Sequence, residues 1–315
     1  MINELIIRKL VDHILLNACS VSSSGLYNGK AGLALALFET ARYLQDEYIE
    51  EQALNLLQEA LLSKTDDIGF ENGLSGIGYV LLYLIENDFI DADFEEIFGY
   101  KYEIIISEFD KQKENPGFLL NSIRMNYFFK YVKNYYSTDK RIGVIVKSIF
   151  EANELYLAIQ FFDFKDIHYI RNKNTVLENF ENYLKIVYDC SYSEYSHVIL
   201  KDYSMLYRSG WISSSYKVAY YLEKLDIKKL YIDIITNNKQ FSSLKNNKNM
   251  SLKSCIELSN LSENINIINS ITNMANDDFE DSILRRIIKN TFVAGYEQGI
   301  SKLLIVLTNN KTNLL

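Results

Sequence analysis

Proline is almost absent from this chain, which contains one proline, Pro116, in 315 residues. Helix interiors exclude proline because it removes a backbone donor and its ring clashes with the preceding turn. β-Proteins of this length need more turn residues of the proline and glycine type. The scarcity of proline therefore favours an all-α chain.

Basic runs and long apolar segments are also missing. The chain carries 33 Lys+Arg against 41 Asp+Glu, and its net charge is −8. It lacks the basic footprint of a nucleic-acid binder and the polybasic patch of a membrane-surface protein. The longest apolar runs, such as residues 79–85, are too short to span a bilayer, and Asp12 and His13 interrupt the N-terminal apolar stretch. We expect a cytoplasmic protein with no transmembrane segment and no nucleic-acid partner.

Cysteine is rare, with Cys19, Cys190 and Cys255 far apart in the sequence. A disulfide framework is excluded, and the pattern suits a reducing compartment. Hydrophobic residues make up 48% and charged residues 23%, which are the values of a globular chain.

The apolar residues that are present recur at helical spacing. Leu33, Leu37, Ala41 and Leu44 lie on one helical face. The leucines at 54, 57, 61 and 62 repeat this pattern, as do the apolar residues at 81, 82 and 85. These spacings predict amphipathic helices.

Internal repetition is the most specific feature of the sequence. Residues 25–33 read GLYNGKAGL, residues 69–77 read GFENGLSGI and residues 295–303 read GYEQGISKL. We call the segment that holds the first two glycines of each copy a glycine turn. Each glycine turn precedes an apolar run, so it is expected to open a helix, where glycine allows positive φ and close backbone approach.

Weaker copies extend the repeat through the chain. Gly117 and Gly210 keep the first glycine, and the gaps leave room for copies near residues 165 and 252. Seven copies at about 42–48 residues then fill the chain, a period typical of helix-pair repeats. Because the copies near both chain ends are equally good, we expect a closed α/α toroid of about seven helix pairs, forming a single domain over residues 1–315.

These residues resemble a known family. The segments Gly25–Leu33 and Gly69–Gly78 are similar to glycine repeats of the lanthionine synthetase C-like family, and residues 295–300 are similar to its last repeat. The resemblance implies an α/α toroid with seven inner and seven outer helices. It also implies a role in the modification of ribosomally made, lanthipeptide-type peptides.

Cyclases of this family close thioether rings on a peptide, using zinc held by two cysteines and one histidine. The metal is needed because a free thiol near neutral pH is mostly protonated. The resemblance places the ligands in a Trp-Cys-x-Gly turn and in a later Cys-His-Gly turn.

The sequence departs from the family at both turns. At the first, Trp211 matches, but Ile212 stands where cysteine belongs and Ser214 where glycine belongs. At the second, Lys253 and Ser254 stand where the Cys-His pair belongs. A shift of two residues would instead place Cys255 at the cysteine position and Ile256 at the histidine position, so either alignment loses ligands. We expect no metal cofactor.

Several residues stay candidates for a site. His168 lies near the family's catalytic histidine, but a partly exposed helix-end histidine explains it more simply. Trp211 is either a wall of a peptide-binding cavity or a core residue. The resemblance adds further substrate-binding candidates at the two altered turns: Ser213, Ser214, Lys253 and Ser254. A migrated zinc site would use Cys190, His197 and Cys255, although free cysteines are commonly small buried side chains.

Three functional hypotheses follow. The first is a zinc-free pseudo-cyclase that binds a peptide or a partner enzyme. The second is an active zinc-dependent cyclase or other cavity enzyme with a rebuilt site, which would show ionisable residues with perturbed pKa values. The third is a purely structural interaction scaffold.

Overall fold

The computed structural model describes residues 4–166, 173–212, 215–225, 231–234, 236, 295–296 and 299–308. Within these ranges every regular element is a helix and no strand occurs, which confirms the all-α class. The described helices are α1 Glu4–Ala18, α2 Lys30–Leu44, α3 Glu47–Leu61, α4 Leu74–Glu86, α5 Phe94–Gln112, α6 Pro116–Asn121, α7 Met125–Tyr135, α8 Lys140–Asp166, α9 Lys173–Asp189, α10 His197–Arg208, α11 Tyr216–Lys224 and α12 Ile300–Thr308.

The chain divides into two compact units. The first combines Met1–Ile105 with Lys248–Leu315, and the second is Ile106–Asn247. The single domain over residues 1–315 stays a prediction. None of the helices in the described ranges is long and apolar enough to cross a membrane.

Helices α2 and α4 form the centre of the first unit. Every residue from Ala31 to Ala41 in α2 and from Leu74 to Leu84 in α4 is buried. Helix α3 instead buries one face, as expected of an amphipathic helix. The buried side of α3 differs from the predicted leucine stripe, because Leu54 and Leu62 are exposed while Ala53 and Ala60 are buried. Small residues lie on this face, which packs against α2.

The last described helix of the chain packs against the first ones. Helix α12 contacts both α1 and α2 within the first unit. Its residues Ile300, Leu303 and Leu304 are almost fully buried. A closed ring requires the last repeat to contact the first, and these helices make that contact.

The second unit contains α6 to α11. Helix α8 is the longest at 27 residues and packs against α6, α7, α9 and α10. Gly117 is the second residue of the short helix α6, so it does not form a glycine turn of the kind predicted there. Asn115 caps α6 by accepting hydrogen bonds from the backbone N–H groups of Gly117 and Phe118, which explains why the helix begins at Pro116.

Candidate functional site

The first and second glycine turns have the same backbone geometry. The Lys30 N–H donates to the Ser23 carbonyl at 3.0 Å, and the Leu74 N–H donates to the Asp67 carbonyl at 2.8 Å. In both turns the second glycine is the helix N-cap, and α2 and α4 begin at the next residue. The predicted role of these turns in opening helices is therefore confirmed.

Close approach, and not positive φ, explains the glycines of these turns. Among the described glycines only Gly210 has a positive φ. A Cβ atom on Gly25 would lie 2.3 Å from the Asn72 Cα, and one on Gly76 would lie 2.0 Å from the Phe70 carbonyl oxygen. The expectation of positive φ was wrong at these positions, whereas the expectation of close backbone contact was right.

Backbone hydrogen bonds join the last, first and second glycine turns. The Tyr27 N–H donates to the Glu71 carbonyl at 2.7 Å, and the Tyr296 N–H donates to the Tyr27 carbonyl at 2.6 Å. The Tyr27 ring lies 6.4 Å from both the Phe70 ring and the Tyr296 ring. We call these three joined turns the glycine-turn cluster. It fixes where α2, α4 and α12 begin relative to one another.

The glycine-turn cluster exposes polar side chains at two of its turns. Asn28 and Asn72 are exposed, while Tyr27 and Glu71 are half-buried. An asparagine amide offers both a donor and an acceptor, the pair of groups that a peptide backbone also presents.

Lys302 occupies the third glycine position of the last copy. Its side chain is buried, and its Nζ lies 5.0 Å from the centre of the Tyr296 ring. A Cβ atom at the equivalent Gly32 would lie 1.9 Å from the Leu26 carbonyl oxygen. The last copy therefore cannot repeat the packing of the first two, and a cation–π contact stands in its place.

Trp211 lies at the end of α10 in the second unit. Gly210 has φ +72°, and the N–H groups of Gly210 and Trp211 donate to the carbonyls of Tyr207 and Leu206. This pattern is a Schellman C-cap, which needs a left-handed residue at the glycine position. Gly210 therefore ends one helix, and Ser215 caps the next by accepting from the Val218 N–H at 3.3 Å.

Ile212, which the sequence resemblance aligned with the family's first zinc-ligating cysteine, is apolar and buried. Ile212 is 3% exposed, and Trp211 beside it is half-buried. An aliphatic side chain offers no lone pair to a metal, so this position does not fit the zinc that the family's cyclases hold. The other candidates at these turns, Ser213, Ser214, Lys253 and Ser254, lie outside the described residues, as does His168.

Two of the three residues of the migrated zinc site, Cys190 and His197, lie in the described part of the chain. Cys190 is half-buried directly after α9, and burial together with the Asp189 carboxylate raises the pKa of its thiol to about 12. His197 is exposed at the start of α10, and its ring lies 5.2 Å from the Tyr195 ring. Cys255 lies outside the described ranges. Within those ranges no group of three His, Cys, Asp or Glu residues could hold a metal ion.

The second unit contains a polar network that the sequence did not reveal. The Tyr127 hydroxyl donates to Asp189 Oδ2 at 2.8 Å and accepts from Lys185 Nζ at 3.0 Å. Lys185 also pairs with Asp189 at 2.5 Å, and Lys130 Nζ donates to the Asp189 carbonyl at 2.7 Å. The spacing of Lys185 and Asp189 hints at a helical pair, but Tyr127 is too distant in sequence for any local pattern to find it.

Electrostatics make the Tyr127 hydroxyl unsuited to acid–base chemistry near neutral pH. Burial, with Asp189 nearby, raises the pKa of Tyr127 well above its usual value. Burial and the same carboxylate also raise the pKa of Tyr221. A catalytic acid or base works best with a pKa near the operating pH, and these shifts lead away from it. We interpret the network as a set of hydrogen bonds and ion pairs that stabilises the packing of α7 against α9.

Comparison with known families agrees with the geometry of the first unit. The family model described as lanthionine synthetase C-like protein matches residues 4–123. The N-terminal part of this chain is lanthionine synthetase C-like. The matched segment contains the first two glycine turns and helices α1 to α6. No curated protein matches the chain. No solved structure matches it.

Proposed function

We propose that this lanthionine synthetase C-like protein is a zinc-free pseudo-cyclase that binds a peptide, or a partner enzyme, in a lanthipeptide-type modification pathway. Its N-terminal repeats keep the backbone contacts of the glycine turns, which supports retention of the family scaffold. The observation that supports an absence of zinc chemistry is the burial of Ile212, which the resemblance aligns with a zinc-ligating cysteine.

The physical argument concerns the thiol. Cyclisation adds a peptide S–H across the double bond of a dehydrated residue, so the thiol must become a thiolate at neutral pH. In the family zinc supplies this activation. Without zinc, the peptide thiol stays mostly protonated at neutral pH, because the ordinary pKa of a cysteine lies above about 8.

The test combines a reaction and a binding measurement. The probe is a model peptide with one dehydroalanine and one cysteine, offered with zinc to the purified protein. Cyclisation leaves the peptide mass unchanged but removes its free thiol, so alkylation followed by mass spectrometry detects it. We expect no loss of free thiol and measurable binding of the peptide by isothermal titration.

Variants locate the binding. Trp211→Ala is expected to weaken binding of the peptide, while His197→Ala, an exposed change at the other end of α10, is expected to leave it unchanged. Zinc-dependent loss of the peptide thiol would overturn the pseudo-cyclase proposal in favour of an active enzyme. Absence of both reaction and binding would favour the structural scaffold instead.

A further inference from the structure

Helix α8 carries four exposed apolar side chains on one face, which we call the α8 stripe; the polar residues Ser148 and Glu151 lie on the same face between the first and second of them. Val144, Leu155, Ile159 and Phe162 are 66%, 64%, 51% and 61% exposed. Their spacings of 11, 4 and 3 residues place them on one helical face, over a length of about 27 Å. Large aliphatic and aromatic side chains aligned in this way at high exposure mark an interaction surface more than scattered ones do.

The other sides of α8 are already covered. Helices α6, α7, α9 and α10 of the second unit pack against it. Ile142, Ile145, Ile149, Phe150 and Phe161 of α8 are buried in this packing. The stripe side chains stay exposed beside these helices, so none of the described helices covers them.

Charge divides α8 into two halves of opposite sign. Residues 140–147 carry three basic residues, Lys140, Arg141 and Lys147, and no acidic one. Residues 151–163 carry three acidic residues, Glu151, Glu154 and Asp163, and no basic one. A second α8 laid antiparallel against the stripe would bring each basic half next to an acidic half. The two helix dipoles would then also oppose each other favourably.

We propose that the α8 stripe is the interface of a two-fold homodimer, in which α8 pairs antiparallel with α8 of a second copy. In this arrangement Val144 of one copy packs near Phe162 of the other. Arg141 and Asp163 lie on the same flank of the stripe, so each Arg141 comes next to Asp163 of the second copy. Such a contact is isologous and closes on itself, which limits assembly to two copies.

In the dimer, charged side chains of α8 that pair within one copy come next to side chains of the second copy. Arg141 is paired with Asp139 at 2.7 Å, and Lys147 lies 3.8 Å from Glu151. The Lys147–Glu151 pair is solvent-exposed and individually weak, so it can rearrange when the apolar stripe is covered, whereas Arg141 contacts both oxygens of the half-buried Asp139 carboxylate and has to share this contact with Asp163 of the second copy. The apolar contacts supply the affinity, and the charges select the antiparallel orientation.

Sedimentation velocity over a range of protein concentrations tests the proposal. We expect a reversible dimer of twice 36.6 kDa that Ile159→Glu converts to a monomer. Leu16→Glu, a matched control at an 82% exposed leucine of α1, is expected to remain dimeric. Circular dichroism on each variant checks that the fold is kept.

A charge exchange tests the orientation. Arg141→Glu and Asp163→Arg are each expected to weaken the dimer, and the double variant R141E/D163R is expected to restore it. A wild-type monomer at the highest soluble concentration would overturn the proposal, even if that monomer bound another protein through α8. A dimer that survives Ile159→Glu, or that Leu16→Glu dissociates, would also overturn it.

Discussion

At the scale of single residues, glycine meets one of two physical requirements in this chain, which are space for a close contact and a left-handed backbone conformation. Gly76 is helical, and a side chain there would meet the Phe70 carbonyl at 2.0 Å, so the demand is space. Gly210 has open space around it but a φ of +72°, so the demand is conformation. The sequence pattern alone does not separate these cases, because both glycines occur in copies of the same repeat.

Gly76→Ala tests the spatial demand. The added Cβ forces the start of α4 away from the Phe70 carbonyl, and we expect the free energy of unfolding to fall by about 3 kcal/mol, the upper range for overpacking. Gly143→Ala is the matched control, because Gly143 is also helical and nothing lies within 4 Å of its Cβ position. The control is expected to be neutral or to gain up to about 1 kcal/mol. Equal changes in the free energy of urea unfolding for Gly76→Ala and Gly143→Ala would contradict the interpretation that close backbone contact requires glycine at position 76.

The Cys190 thiol gives a prediction about pH. Its folded pKa of about 12 lies above the ordinary value of 9.0, so the folded protein keeps a proton that the unfolded chain releases. The unfolded state then binds fewer protons, and stability falls as pH rises from about 9 to 12. We expect the unfolding free energy to fall less steeply between pH 9 and 11 in Cys190→Ala than in the wild type. If the unfolding free energies of the wild type and Cys190→Ala change in parallel with pH, folding does not raise the pKa of the Cys190 thiol.

At the scale of helices, capping decides where elements end. The Schellman motif at Gly210 ends α10 and directs the chain past Trp211 towards α11. Gly210→Ala puts a Cβ into the left-handed region, which costs about 1–2 kcal/mol. Gly210→Asn is expected to cost clearly less, because asparagine tolerates this conformation. Thermal unfolding of both variants measures the difference, and an alanine variant as stable as the asparagine one would contradict the cap.

Among the structural features of this protein, the positions of the helices were the easiest to predict from the sequence. The spacing of Leu33, Leu37 and Ala41 correctly predicted a helix at α2, but the prediction of one apolar face was wrong, because α2 is buried on every side from Ala31 to Ala41. The glycine repeat predicted a glycine turn at Gly117, and this prediction was wrong. Proline at the first helical position and the Asn115 cap start the short helix α6 there instead. A local pattern of one glycine does not specify which turn the neighbouring residues favour.

The site was less predictable than the helices. The Ile212 substitution is visible in the sequence, but its burial follows only from the fold. The Tyr127–Asp189 hydrogen bond joins residues 62 apart in sequence, and no period or motif links them. Tertiary contacts of this kind depend on how α7 and α9 pack, which the sequence pattern leaves open.

At the scale of the whole molecule, the predicted single domain can be tested through its one tryptophan. Trp211 lies in the second unit, so its fluorescence reports on that unit, whereas circular dichroism at 222 nm averages over all helices. A single domain unfolds in one cooperative transition. We expect coincident urea transitions for the two probes. Separate transitions would mean that the two units are independent domains.

Gly76→Ala extends this test, because it lies in the first unit and Trp211 in the second. In a single cooperative domain the variant shifts the tryptophan transition as much as the circular dichroism transition. A tryptophan transition that stays at the wild-type urea concentration would contradict cooperative unfolding.

We propose that this chain, whose residues 4–123 are lanthionine synthetase C-like, does not hold the zinc that the family's cyclases use. The most direct test of this proposal is the zinc content of the purified protein, measured by mass spectrometry after zinc loading and dialysis. With Ile212 at the cysteine position, we predict far less than one zinc per chain. Retention of about one zinc per chain would contradict the claim, and Cys190, His197, Cys255 and His168 would become the residues to substitute.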